Sequence, residues 1–420
     1  MKRNSLLFAT ALLIGFTGWK KNPPQEEAWI SNALDVTTYQ LKLTAEELIG
    51  TNKLPRSIYS GYDINFLDTQ LEREDKSYID SLLPNPPALQ LGQRHLCGIN
   101  DWTSGFFPGS LWYAYEMTGD EELKKRAIEY TNILNPVRKL TQTHDVGFMM
   151  NCSYGNALRL APNDTIKAVL IETADNLCAR FNPEIGCIRS WDFGKWNFPV
   201  IIDNMMNLDL LFNVAKLTGD KKYYDVAVKH AQTTMKNHFR PDYTSYHVVS
   251  YNNDGSVELK QTHQGKDNES AWSRGQAWGV YGYTSCYRET KDPAFLQEAV
   301  HIGDMIMERV KTDDLIPYWD YDAPVGEKTP RDASAAAVTA SAFLELSTFA
   351  PDGKKYFDYA EAILKNLSGA DYLAAKGSNQ GFVLLHSTGS LPHGSEIDVP
   401  LNYADYYYLE AMKRYLDLKE

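Results

Sequence analysis

Two kinds of helical segment alternate along the chain. One is apolar or aromatic on every side and nearly free of charge; the next carries charge on one face and an apolar stripe on the other. Four copies of this unit can be laid side by side, from Gly109 to Tyr130, Asp203 to His230, Trp272 to Ile302 and Ala333 to Leu364. They turn back at Thr118-Gly119-Asp120, Thr218-Gly219-Asp220, Thr290-Lys291-Asp292-Pro293 and Ala350-Pro351-Asp352-Gly353. Gly after a helix supplies a left-handed cap, and Asp accepts the free N–H groups of the next helix. Tyr223 with Ala227, Phe295 with Ala299 and Phe357 with Ala360 give the second helices their stripe. A less regular fifth hairpin runs from Phe148 to Leu160 and, after Pro162-Asn163-Asp164, from Ile166 to Phe181. Helices from about Glu26 to Ile49 and from about Leu401 to Leu418 remain to pair with each other, which makes twelve.

Helices apolar all round belong inside, and amphipathic ones face water. The predicted fold is therefore all-α, an (α/α)6 barrel in which six hairpins form an inner and an outer ring; an open helical solenoid is the alternative. The connections into the inner helices are long, and long loops on one rim of a rigid scaffold are where sites are built. They span 99–107, 140–147, 187–202, 243–271, 313–332 and 377–400. Within them, Tyr246 to Leu259 reads as a β-hairpin around Asn-Asn-Asp-Gly.

Charge and composition narrow the chemistry. The 420 residues hold 42 Lys and Arg against 54 Asp and Glu, a net charge of −12, with no basic run, so nucleic acid is not an expected partner. Aromatics reach 12%, which suits both a packed core and stacking on sugar rings. The five Cys, without a CxxC, indicate neither a disulfide framework nor a zinc site and read as buried free thiols. No HExxH, GxGxxG after a strand or P-loop is present, so no metal or cofactor is indicated. Lys2 and Arg3 before the apolar run Leu6 to Phe16 read as an export signal over residues 1–22, leaving 23–420 as a single catalytic domain. The expected location is periplasmic or membrane-associated in a Gram-negative bacterium. The signal resembles that of a lipoprotein, but Trp19 stands where lipidation needs Cys.

Three constellations point to catalysis. Asp203 enters the apolar run Val200-Ile201-Ile202-Asp203-Asn204-Met205, either as a helix cap or as a partly buried acid whose pKa is raised by desolvation, as a general acid at neutral pH requires. Asp145, after His144, stands at the mouth of the preceding inner helix, and two neighbouring carboxylates push their pKa values apart. In the run Gln264 to Trp278, Trp272, Arg274 and Trp278 lie where a loop becomes a helix. There Arg274 either offers a planar fork to a carboxylate or pairs with a structural Asp. His230, His238 and His301 fall on outer helices as surface or packing residues.

These motifs, with the closing run Pro-Leu-Asn-Tyr-Ala-Asp405-Tyr-Tyr-Tyr-Leu-Glu410-Ala, resemble the unsaturated glucuronyl hydrolases of glycoside hydrolase family 88 from about Ala28 onward. The resemblance implies the same (α/α)6 barrel. It also implies hydration of the C4=C5 double bond of a 4,5-unsaturated uronic acid at the non-reducing end of a lyase-generated oligosaccharide. Asp203 then matches the general acid/base and Asp145 the second essential carboxylate, while His144, His247, Gln264, Trp272, Arg274, Trp278, Trp102 and Trp191 match substrate-pocket residues. The segment 387–395 is a candidate for contacts to the next sugar. An unsaturated rhamnogalacturonyl hydrolase acting on pectin fragments, an ordinary inverting glycosidase and a non-catalytic glycan-binding protein remain as alternatives.

Overall fold

A computed structural model describes residues 28–59 and 91–420; the expected export segment with Trp19 lies outside them. In chain order the helices are α1 (Ala28–Glu47), α2 (Phe106–Thr118), α3 (Glu121–Ile133), α4 (Val146–Met150), α5 (Asn156–Leu160), α6 (Asp164–Cys178), α7 (Asn204–Thr218), α8 (Lys221–Asn237), α9 (Ser273–Thr290), α10 (Pro293–Arg309), α11 (Ala333–Ser347), α12 (Gly353–Leu367) and α13 (Asn402–Lys419). A π-helical turn over Asn151–Gly155 joins α4 to α5, so the two act as one interrupted helix.

The turns behave largely as their residues dictate. Gly119 ends α2 in the left-handed conformation (φ 68°), and the Asp120 carboxylate accepts the Glu122 and Leu123 N–H groups. Gly219 and Asp220 do the same between α7 and α8. Lys291 takes the left-handed position before α10. The fourth turn departs from the pattern: α11 ends earlier, at Ser347, and the Asp352 side chain makes no capping bond.

The inner ring consists of α2, α4–α5, α7, α9, α11 and α13. Each packs on the next, and α13 packs back on α2, so the ring is closed and the fold is an (α/α)6 barrel. The difference in polarity decides the layers: α11 buries thirteen of its fifteen residues and its partner α12 only five of fifteen. The N-terminal helix lies outside, against α2 and α3. It meets the C-terminal helix where the Trp29 and Tyr415 rings stand 5.6 Å apart. All five cysteines are free, and only Cys178 is not fully buried. No helix among the described residues is long and apolar enough to cross a membrane.

Short antiparallel sheets cover one rim. β1 (Leu54–Ile58) pairs with β2 (Arg94–Cys97), and β3 (Phe181–Asn182) with β4 (Cys187–Ile188). The predicted hairpin is β6 (Val248–Tyr251) with β7 (Val257–Gln261), and β5 (Pro199–Ile201) adds an unpredicted third strand beside β6. The outer helix α8 ties these loops down from beneath. His230 Nδ1 accepts the Ile188 N–H at 3.0 Å, and His238, just past the helix, bonds the Val200 carbonyl through Nε2 at 3.1 Å. Both are buried packing residues rather than surface ones, and burial lowers their pKa values to about 3 and about 4.

Candidate active site

A cavity of about 450 Å³ opens among these rim loops. Its wall includes Trp102, Thr143, Asp145, Trp191, Asp203 and Gln264, contributed by four separate connections, and Arg274 from the first turn of α9. Both carboxylates stand one residue before an inner helix, Asp145 before α4 and Asp203 before α7, yet neither side chain makes a capping bond. Asp120, Asp220, Asp292 and Asp332 sit at equivalent positions and do cap. The two cavity acids have been withheld from the local role that their positions offer. Gly147 permits their approach: a Cβ there would lie 2.4 Å from Asn207 Oδ1, so any side chain would force α4 away from α7.

Each acid has its own histidine, and hydrogen bonding fixes the tautomer of both. The His247 Nδ1 accepts two backbone N–H groups, from His263 at 3.2 Å and Gln264 at 3.1 Å. Its proton is therefore on Nε2, 3.5 Å from Asp203 Oδ2. Asn207 Oδ1 accepts the Phe148 N–H, which turns the amide nitrogen toward His144 Nδ1 at 3.4 Å. The His144 proton is thereby placed on Nε2, 3.2 Å from Asp145 Oδ1. Burial lowers the His144 pKa, so this imidazole is a neutral donor. Neither contact has hydrogen-bond alignment: His144 Nε2, His247 Nε2 and Asp203 Oδ2 are all buried without a partner. Burial also pushes the Asp145 carboxyl above its ordinary range; His144 and the Thr143 hydroxyl oppose the shift and the Asp203 charge adds to it.

Strand pairing produces the Asp203–His247 contact. Ile201 of β5 lies opposite Val248 of β6, and the Ile202 N–H donates to the His247 carbonyl at 3.0 Å. Trp272 supports the histidine from behind, with ring centroids 4.5 Å apart, and the Arg274 guanidinium lies over the same indole at 4.6 Å. Arg274 is buried and donates to Asp332 Oδ2, the Thr388 carbonyl and the Gly389 carbonyl at 2.6–2.7 Å. The pairing with a structural Asp is thus realised, while the guanidinium still borders the cavity.

The remaining candidates divide. Trp191 and Trp102 line the cavity, as does Gln264, whose amide donates to the Gly389 carbonyl at 3.1 Å. His144, His247 and Trp272 stand behind the wall. Trp278 does not border the cavity. It faces inward from α9, fully buried against Phe148 and Tyr407, because three to four residues of helix carry it below the rim. Ser390, His393 and Ser395, from the segment expected to meet the next sugar, also line the cavity, beside Gln264 and Arg274, which both donate to the Gly389 carbonyl. Sequence reasoning missed Thr143 and Phe193. The Thr143 hydroxyl donates to Asp145 Oδ2 at 2.6 Å, and the Thr-x-Asp spacing was a legible signal for that bond.

Residues 91–414 match the model of Glycosyl Hydrolase Family 88, and residues 1–73 match a domain of unknown function, DUF4995. An unsaturated glucuronyl hydrolase of Formosa agariphila is 48% identical over 325 residues, 76% of this chain and 81% of the relative. An unsaturated chondroitin disaccharide hydrolase of Streptococcus pyogenes is 32% identical over 78% of this chain and 84% of its own length. Among solved structures, an unsaturated glucuronyl hydrolase specific for heparin superimposes with a TM-score of 0.85 at 48% identity, covering 94% of this chain and 98% of the other.

Proposed function

The chain belongs to glycosyl hydrolase family 88 and is an unsaturated glucuronyl hydrolase, and from that premise we propose which of its residues carry the reaction. The substrate is an oligosaccharide, of glycosaminoglycan type, whose non-reducing end is a 4,5-unsaturated uronic acid. The observation that supports the assignment is a single cavity holding two uncapped carboxylates, each faced by a histidine N–H.

The ring oxygen makes the C4=C5 bond an enol ether, so C4 is the basic carbon. Asp203 delivers a proton to C4, and positive charge develops at C5 and the ring oxygen. A water gives its proton to the Asp203 carboxylate and its oxygen to C5, which restores the acid. The hemiketal at C5 then opens to a ketone and leaves a hydroxyl on C1. The bond from C1 to the leaving sugar breaks as that centre collapses to an aldehyde, so the net change is addition of one water and release of one sugar. Catalysis at the glycosidic oxygen is not required, unlike in a two-carboxylate glycosidase. The His247 Nε2–H stands 3.5 Å from Asp203, close enough to turn onto its carboxylate form, and Asp145, held by the Thr143 hydroxyl, supplies negative charge beside the developing cation. Trp102 and Trp191 flank the ring, and Arg274 and Gln264 face the uronate carboxylate. The net charge of −12 disfavours an anionic substrate at long range, but salt screens it beyond roughly 8–10 Å, so the local donors decide.

The test is to mix the protein with lyase-generated unsaturated disaccharides and follow the ultraviolet absorbance of the double bond. Loss of absorbance in step with sugar release is expected; cleavage with the double bond intact would overturn the mechanism. We also propose export, on the strength of Lys2, Arg3 and the apolar run to Phe16. Recovery of the chain in the cytoplasmic fraction alone would refute it.

A further inference from the structure

The loop that carries Trp191 into the cavity wall continues outward to an aromatic residue that stands largely in water. Phe193 is 58% exposed, one of the most exposed large apolar side chains among the described residues. Its ring stacks on Trp191 with centroids 5.0 Å apart and planes 19° from parallel, and both rings border the cavity. Trp191 in turn meets His263 and, edge-on, His247 beside Asp203. A continuous aromatic surface therefore runs from the reacting centre to the lip.

Phe193 is not exposed because its loop is loose. Asp192 is gripped by Arg180 at 2.9 and 3.0 Å and by Arg189 at 3.2 Å. On the other side Gly194 takes φ +87° against the Trp196 ring, where a Cβ would lie 2.5 Å from ring carbons. Both neighbours are pinned, and the ring between them is held out in water. Burying such a side chain is favourable, so a fixed loop that forgoes it leaves a surface suited to a ligand.

We propose that Phe193 is a stacking platform for a pyranose ring of the same oligosaccharide, lying beyond the unsaturated disaccharide unit, so that the enzyme prefers chains longer than a disaccharide. This rests on the assignment of the cavity to unsaturated oligosaccharides. The occupant follows from continuity: the Trp191 face borders the cavity that holds the first sugars, and the ring stacked outside it meets the sugar that leaves the mouth. The C–H face of a pyranose covers an aromatic face and keeps its hydroxyls in water.

The experiment compares kcat/KM on an unsaturated tetrasaccharide and an unsaturated disaccharide of the same repeat for the native enzyme, Phe193→Ala and Phe193→Trp. The tetrasaccharide-to-disaccharide ratio should fall by roughly fivefold in Phe193→Ala, through KM, and return in Phe193→Trp. An unchanged ratio overturns the platform. If the native enzyme left the double bond untouched, the reaction assignment would fail separately. Titration of tryptophan fluorescence with the two oligosaccharides then reads the platform alone. Length-selective weakening of binding in Phe193→Ala supports it, and equal binding by native and variant protein overturns it.

Discussion

The barrel has charged residues at both ends, and the two ends treat them in opposite ways. At the rim, Asp145 and Asp203 form no ion pair with a Lys or Arg among the described residues and face only histidines, and three polar atoms facing the site are buried without a partner. At the far end a second cavity of about 230 Å³ is lined by Tyr113, Asp209, Tyr281, Arg288, Glu410 and Arg414 among others. There every charge is answered. Arg288 holds Asp209 and Glu345, Arg414 holds Glu345, and Glu410 accepts the Tyr113, Tyr281 and Ser341 hydroxyls at 3.0, 3.1 and 2.6 Å. Phe148 separates the two regions, lining the far cavity and packing on Trp102 of the near one. A satisfied network fixes the ends of the inner helices against each other, whereas an unsatisfied one holds donors and acids ready for a substrate.

Substitutions at the two ends should separate activity from stability. Asp203→Asn keeps the shape and removes the proton that is delivered, so kcat should drop by about a thousandfold or more while the melting temperature holds; turnover near the native rate would end its role. Asp145→Asn should lower activity and raise stability at neutral pH. A buried acid whose folded pKa lies above its unfolded one stabilises the fold only where it is protonated, and that contribution is lost as pH rises through the folded value. Thermal melts of the native protein and the Asp145→Asn variant should therefore diverge as pH is raised, and parallel curves would contradict the shift.

At the far end, Glu410→Ala should cost about 3 kcal/mol in denaturant unfolding, because it leaves three hydroxyls and a neighbouring guanidinium uncompensated. Activity per folded molecule should survive; coupled loss of both would erase the contrast between the ends. Arg180 has an intermediate position. It donates to the Thr141, Arg189 and Ser190 carbonyls and to Asp192, and so ties the loop before Asp145 to the loop bearing Trp191. Arg180→Ala should lower kcat/KM by about tenfold, mainly through KM, with partial rescue by Lys. The smallest effect is expected for Trp278→Phe. Its indole N–H is buried without a partner, and activity should stay within about threefold of native.

Local chemistry made much of the ring legible. Hairpins capped at Gly119-Asp120 and Gly219-Asp220 follow from turn residues and a 3.6-residue period, both contained in a few neighbouring positions. The same reasoning failed at Asp352, where α11 stops short of its turn, and at Trp278, where the motif is contiguous in sequence but the helix sinks half of it into the core. Thr143 was readable from its spacing to Asp145; Phe193 was not, since nothing in its flanks distinguishes an exposed aromatic from a core one.

The chain alone therefore determined which segments coil, where they turn back and which face is turned inward, because those depend on side chains one turn apart. Tertiary structure alone decided that His247 faces Asp203 and His144 faces Asp145. The first contact depends on the register of β5 against β6, and the second on an Asn207 amide reached from another hairpin. It also decided that Arg288, Asp209, Glu345 and Arg414, scattered over four inner helices, meet as one network. Such meetings follow from closure of the ring, which brings helices of distant sequence to a common axis, and no local periodicity records them.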